Sequence, residues 1–449
     1  MKKTTYIVAI ALLFMVYSIP LQAQKKMLSL KDALEMAKDG NKALQVQVLE
    51  ERHSTEMTRE AKRGFLPEIS GNIAYSHYFD RQTIFLPGSF AGTSKPVQEV
   101  AVGGKNAFNG FLALHQPIIA PVIPRMAKAA ILNEKIQSEK TANFKSQIAL
   151  QVSSGYLNLL MMARQLDLLE QSLNRNIKAL GDSRSLLAQG RALKSDTLRS
   201  FIAVKNLKSS VSYLKSNIDV SEIELKRLIG LEESVEIELT DNLDLDTPTF
   251  QSDFYTVDEA LNIAEANRKD LNIQKLIIGL QKKKQEAVQA ELLPRLSLIG
   301  QYQVQAQADD MKFDQYAWPR TSFLGVQLTV PIFNGNRTKS RITQANIRTE
   351  HERIRLEDLK DKVNTELATI ISKWKEAVNQ LDIQETTVKS AELNYEMMND
   401  RFENGLGSRL ELTDAELALT QARINSLQAK YNLRLLHIEL QYALGLLNL

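Results

Sequence analysis

Between Pro294 and Pro331 the chain alternates greasy and polar side chains with a period of two. In a first run Leu296, Leu298, Tyr302 and Val304 fall on one side, and Ser297, Gln301, Gln303 and Gln305 on the other. In a second, from Phe323 to Val330, Leu324, Val326, Leu328 and Val330 oppose Gly325, Gln327 and Thr329. This alternation predicts two strands, each with one apolar and one wet face. The pattern recurs less cleanly through Ile69, Ile73, Tyr75 and Phe79 and again from Phe111 to Gln116, so four strands are expected. Residues 81–107 and 307–321, between paired strands, hold Gly, Pro and polar residues and read as outward-facing loops.

Beyond Pro331 the period lengthens. From Thr338 to Asn404 there are 67 residues without Gly or Pro, a helical rod of ~100 Å at 1.5 Å rise per residue. Apolar or small residues recur at alternating three and four spacing, through Leu356, Leu359, Val363, Leu367, Ile370 and Trp374 and onward to Phe402, which is a coiled-coil seam. The rod stops at Gly405 and a return helix runs to near Leu444; the first half reverses at Gly190 and returns to Ile229. Shorter helices over residues 41–65 and 268–292 end just before Pro67 and Pro294, because proline disfavours helical geometry in the residue preceding it.

These elements occur twice in the same order. Ala33, Leu34, Ala37, Leu44, Pro67, Ser70 and Tyr75 recur 227 positions later, Pro117 and Ile118 recur 214 positions later, and Gly190, Glu224 and Gly230 recur 215 positions later. An internal duplication is the simplest explanation, with 13 extra residues between the strand landmarks of the first copy. Residues 24–231 and 255–449 are then two structural repeats joined by a linker at 232–254. Residues 1–23 read as an export signal: Lys2 and Lys3, an apolar run from Tyr6 to Tyr17, and a cleavage site after Ala23. That run is short of the ~20 residues of a spanning helix, and no later segment is long and apolar enough to be one, so membrane insertion has to use strands.

Composition narrows the remaining choices. The balance of 56 basic to 53 acidic residues removes the electrostatic case for nucleic acid. With no cysteine there is no disulfide, thiolate metal site or cysteine nucleophile. His53, His77, His115, His351 and His437 lie far apart without metal-ligand spacing. Met161-Met162 and Met397-Met398 fit helix packing better than soft-metal handling, and no cofactor or catalytic constellation is expected. Four strands of the length that crosses an outer membrane cannot close a barrel, so other copies of the chain have to complete it. Tyr75, Tyr78, Phe79, Phe108, Phe111, Tyr302, Tyr316, Trp318 and Phe323, near the strand ends, suit an interfacial girdle.

The chain resembles the outer membrane efflux protein (TolC) family. The resemblance rests on the opening Leu28-Ser29-Leu30-Lys31-Asp32-Ala33-Leu34, the junctions at Phe65-Leu66-Pro67 and Leu293-Pro294, the strand exits Gln116-Pro117-Ile118 and Val330-Pro331-Ile332-Phe333, the tip Gly405-Leu406-Gly407-Ser408-Arg409-Leu410-Glu411-Leu412, and the ending Ala443-Leu444-Gly445. It implies a mainly helical fold with β: four strands per chain in a trimeric 12-stranded barrel, and duplicated helical hairpins in a periplasmic α-barrel. It also implies a homotrimer in the outer membrane of a Gram-negative bacterium. Such a channel docks on a periplasmic adaptor (membrane fusion) protein and an inner membrane pump of the resistance-nodulation-division type, and exports solutes passively. The same scaffold serves as the outlet of type I protein secretion, and a pore-free coiled-coil or adaptor protein is the competing class.

By the same resemblance the tips form the gate. Glu411, Asp414 and Asp196 match the positions of carboxylates at the family's constriction, where three copies would make acidic rings that favour cations. Ser408 and Glu411 also spell a capping box, which explains Glu411 without a gate. Phe402 lacks the hydroxyl, and Gly407 the guanidinium, of the family's polar lock, leaving Arg409 to pair with Asp196 or Glu411. Gly190, Arg191, Gly405, Gly407 and Ser408 are the expected adaptor contacts, and Pro67, Pro117, Pro294 and Pro331 the helix-strand junctions.

Overall fold

The computed structural model describes residues 25–90, 92–191, 193–243 and 255–449. The expected export signal and residues 244–254 of the expected linker lie outside the described residues. In chain order the elements are β1 (Lys26–Leu28), α1 (Leu30–Gly40), α2 (Lys42–Arg63), β2 (Glu68–His77), β3 (Gln82–Pro87), β4 (Val97–Val102), β5 (Asn106–Ile119), α3 (Val122–Ala188) and α4 (Lys194–Ile229). They continue with β6 (Ile237–Leu239), α5 (Val257–Asn267), α6 (Lys269–Gln289), β7 (Arg295–Ala308), β8 (Arg320–Thr329), α7 (Arg337–Glu403) and α8 (Arg409–Ala443). Contacts divide the described chain into two compact units. One gathers the residues up to Glu50, Ser138–Ile273 and Glu357–Leu449; the other Glu51–Gln137 and Gln274–Leu356. Each unit draws on both halves of the sequence.

The second unit holds an antiparallel sheet in the order β2-β5-β7-β8, in which the central pair β5–β7 joins the two halves. Its register keeps the expected sides. Ile73, Gly110 and Val304 lie in one cross-strand row, and Ile69, Leu114, Gly300 and Leu324 in another. The alternate rows carry Asn72, Phe111 and Gln303, then Ala113, Gln301 and Phe323. Phe111 and Phe323 therefore sit on the wet face rather than in an apolar girdle, because strand parity, not residue type, decides the side.

Three expectations need correction. Residues 81–107 are not all loop: β3 and β4 form a hairpin from Gln82 opposite Val102 to Pro87 opposite Val97, and it occupies the stretch where the first repeat is longer. Its strands are six residues each, too short for alternation to stand out against the Gly and Pro around them. Pro117 does not end its strand; it pairs with Ser297 at a register shift, and β5 continues to Ile119, a position that tolerates a missing N–H. The other three prolines behave as expected: Pro67 and Pro294 immediately precede β2 and β7, and Pro331 follows β8. Finally, each half opens with an additional short helix, α1 or α5, begun by a capping box, Ser29 with Asp32 and Thr256 with Glu259.

The first unit is built on the helices. A core of Leu28, Ala33, Ala37, Val152, Tyr156 and Ile229 joins β1, α1, α3 and α4. β1 pairs in parallel with β6, and the Tyr156 hydroxyl donates to the Leu28 carbonyl at 2.9 Å. Burial, reinforced by Asp241, holds that phenol far above the ordinary tyrosine range. Along α7 the expected seam is buried at Val363, Leu367, Ile370, Trp374 and Ala377, and only half-buried at Val388, Tyr395 and Phe402. Equivalent contacts close both halves: Asn41 Nδ2 donates to the Leu228 carbonyl at 2.8 Å, and Arg268 donates to the Ala443 carbonyl at 3.1 Å. Those residue pairs stand at the same 227 and 215 offsets that the sequence repeats.

Candidate functional site

Both helical reversals are set by one backbone device. Gly190 and Gly405 adopt φ of 70° and 72°, a left-handed conformation that glycine enters without a Cβ penalty. The Arg191 amide donates to the Leu186 carbonyl and the Gly190 amide to that of Leu187; Leu406 to Arg401 and Gly405 to Phe402 repeat the pattern. This is the Schellman ending that satisfies the free carbonyls of a helix. The next helix starts differently in each half. Ser408 and Glu411 form a complete capping box at α8, whereas Leu193 caps α4 with no side-chain bond. The Ser408 backbone amide holds the Glu411 carboxyl below the usual carboxylate range. Glu411 is thus engaged in starting its helix.

Asp196 and Asp414 do converge. They line a groove of ≈ 380 Å³ between α4 and α8, together with Arg199, Ser200, Arg409 and Leu410. Two acidic and two arginine residues thus line the same groove. Among the described residues no ion pair joins Arg409 to Asp196 or Glu411; its guanidinium carbon lies 5.0 Å from the centre of the Phe402 ring. Arg409 instead folds back on the half-buried aromatic, and burial lowers its pKa against the opposing pull of Asp182 and Glu416. A cation over a ring face is favoured by the ring quadrupole, so Phe402 and Arg409 form an apolar-cationic contact in place of a polar lock. Gly407 packs on the turn itself, since a Cβ there would come within 3.2 Å of Arg401 Cβ and of the Phe402 amide.

Sequence reasoning missed a buried polar network close to these tips. Glu416 of α8 is 5% exposed and receives Ser172 Oγ at 3.1 Å, Arg175 Nε at 3.2 Å and Asn176 Nδ2 at 2.9 Å on both carboxylate oxygens. Burial pushes its pKa up while Arg175 and Ser172 oppose the rise. The signal was present: Ser172, Asn176 and Ser183 occupy inward positions of α3 that a helical seam ordinarily fills with apolar residues.

The sheet supplies the second candidate surface. Its wet face carries an amide chain in which Gln301 donates to Gln303 at 3.0 Å and Gln303 to Asn109 at 2.9 Å. The opposite face exposes Ile69, Ile73, Leu112, Leu324, Val326 and Leu328, with Ile73 92% accessible. At the loop end of that apolar face the tilted rings of Tyr75 and Phe108 have centroids 4.8 Å apart, and the Trp318 ring lies 6.1 Å from that of Phe108. Among the described residues no helix is long and apolar enough to cross a membrane, and no group of His, Asp and Glu is placed to hold a metal ion.

Comparison with known proteins fits this geometry. Residues 260–446 match the family model described as outer membrane efflux protein. The alkaline protease secretion protein AprF of Pseudomonas aeruginosa is 21% identical over 341 residues, which cover 75% of this chain and 69% of that one. The crystal structure of a membrane protein from Pseudomonas aeruginosa superposes with a TM-score of 0.74 at 17% identity, covering 93% of both chains. That of the Campylobacter jejuni CmeC outer membrane channel gives 0.74 at 14% identity, covering 93% of this chain and 86% of that one. The second half of the chain thus matches the outer membrane efflux protein family model, and nearly the whole chain shares the fold of these solved membrane proteins.

Proposed function

We propose that this protein is the outer membrane channel of a tripartite efflux system in a Gram-negative bacterium, extending into the periplasm and passing solutes outward without chemistry of its own. The observation that carries the reading is the sheet: one face of exposed aliphatic side chains, one face of amides, and two edges, β2 and β8, that no other described strand pairs. Unpaired edges are not tolerated in lipid. Three copies close 12 strands with the aliphatic face toward outer membrane lipid and the amides toward water. Residues 24–231 and 255–449 act as the two repeats, joined by 232–254, after removal of 1–23. The turns at Gly190, Arg191, Gly405, Gly407 and Ser408 meet a periplasmic adaptor, which links the channel to an inner membrane pump of the resistance-nodulation-division type. Likeness to AprF supports a second reading, the outlet of a type I protein secretion system.

Chemical cross-linking of the purified protein in detergent is expected to trap a trimer, and reconstitution to give discrete conductance steps. A soluble monomer without conductance would falsify the channel reading. Asp414 and Asp196 are the gate carboxylates of this proposal. Asp414→Ala is expected to raise conductance or weaken cation preference in planar bilayers, leaving Arg199 and Arg409 in excess within the groove; unchanged values remove Asp414 from the gate.

A further inference from the structure

At the helix-proximal end of the sheet a cavity of ≈ 830 Å³ opens on the wet face. Its lining holds three arginines, Arg295 of β7 and Arg337 and Arg341 of α7, with His115 and a single carboxylate, Glu291. Arg295 has the strand parity of Ser297, Gln301 and Gln303, and Arg337 and Arg341 are one helical turn apart on one side of α7. Glu291 is already committed to an ion pair with Arg341. The Arg337 side chain donates to the Asn334 carbonyl at 3.3 Å, and among the described residues neither it nor Arg295 has a carboxylate partner. Across the four strands of the sheet the one acidic residue is Glu68, opposite His115.

Stability alone does not account for this placement. The first turn of a helix has free amides and the positive end of the dipole, and it favours acids over bases. α7 instead opens with Arg337, Lys339 and Arg341 and has no acidic residue in its first turn. Two guanidiniums without a carboxylate partner among the described residues, a third held by one carboxylate, and a helix N-terminus thus concentrate positive potential in one recess. A guanidinium fork matches the oxygens of carboxylates and phosphates.

We propose that this cavity is an anion-recognition site, taking phosphate- or carboxylate-bearing solutes as they pass through the channel. The inference rests on the reading of the wet face as lumen. That face is opposite the aliphatic one, so the anions it meets are dissolved solutes rather than lipid headgroups.

Inorganic tripolyphosphate is the probe, added to the reconstituted full chain in planar bilayers and titrated calorimetrically into the detergent-solubilised protein. The wild type is expected to bind it and to show concentration-dependent current block. Arg295→Gln combined with Arg337→Gln is expected to weaken both by about tenfold or more, the scale of one lost charge-assisted hydrogen bond. Glu291→Gln, which releases Arg341, is expected to strengthen both. Equal binding and block in the wild type and these variants, or no binding in the wild type, overturns the site. Binding that follows the variants in a protein without conductance upholds the site and overturns the channel reading instead.

Discussion

Gly230→Ala is expected to cost about 3 kcal/mol or more of folding stability, from a left-handed backbone that alanine enters at ~1–2 kcal/mol and an overlap of the overpacking kind at ~1–3 kcal/mol. Gly230 ends α4 at φ 72°, and a Cβ there would lie 2.4 Å from the Gly40 carbonyl oxygen and 2.5 Å from its Cα. No side-chain rotation relieves a contact with backbone. The turn glycines provide the control. Gly190 and Gly405 share the positive φ but have no heavy atom within 4 Å of the position a Cβ would take, so Gly190→Ala and Gly405→Ala should lose only the conformational part, ~1–2 kcal/mol. Denaturant melts of the three variants check the difference. Equal losses at all three positions would show that the α1–α4 approach is not tight in solution. Gly445, at φ 76° and with its Cβ position 2.7 Å from the Asn267 carbonyl carbon, is the counterpart in the second half and should behave like Gly230.

Arg175→Ala is expected to destabilise the protein by about 3 kcal/mol at neutral pH, the lower end of the range for breaking a buried ion pair, because Ser172 and Asn176 still serve the stranded carboxylate. The sign of its pH dependence follows from Glu416. Burial raises the folded-state pKa of that acid above its unfolded value, with Arg175, Ser172 and Arg409 opposing. The contribution of this group is therefore fully present below the unfolded pKa, about 4.3, and is lost as pH rises through the higher folded value. Removing Arg175 lifts the folded pKa further and moves the loss to higher pH. The penalty of Arg175→Ala should accordingly shrink on acidification, and it should be largely abolished in a Glu416→Gln background. A penalty that is the same at pH 5 and pH 8 would remove the ion pair as its cause. The network ties α3 of the first half to α8 of the second, so its loss should also loosen the helices near the tips, measurable as faster amide exchange there.

The parts legible in the sequence are those governed by near neighbours. Alternation placed the wet and apolar rows of β7 and β8, because successive side chains of a strand point to opposite faces whatever lies beyond them. Gly190 and Gly405 announced the reversals, since a helix ending in left-handed backbone favours glycine in any context. Ser408 and Glu411 marked a helix start and do cap it.

Other features depended on partners distant along the chain. β1 and β6 have three residues each and exist through pairing more than 200 positions apart, far below the length at which a pattern is visible. The role of Gly230 needs Gly40, the burial of Glu416 needs Ser172, Arg175 and Asn176, and the cationic recess needs Arg295 brought beside Arg337 and Arg341. Local chemistry determined which residues turn, cap and alternate; only the tertiary structure decided which charges are buried, because desolvation and pairing depend on what arrives from elsewhere in the chain.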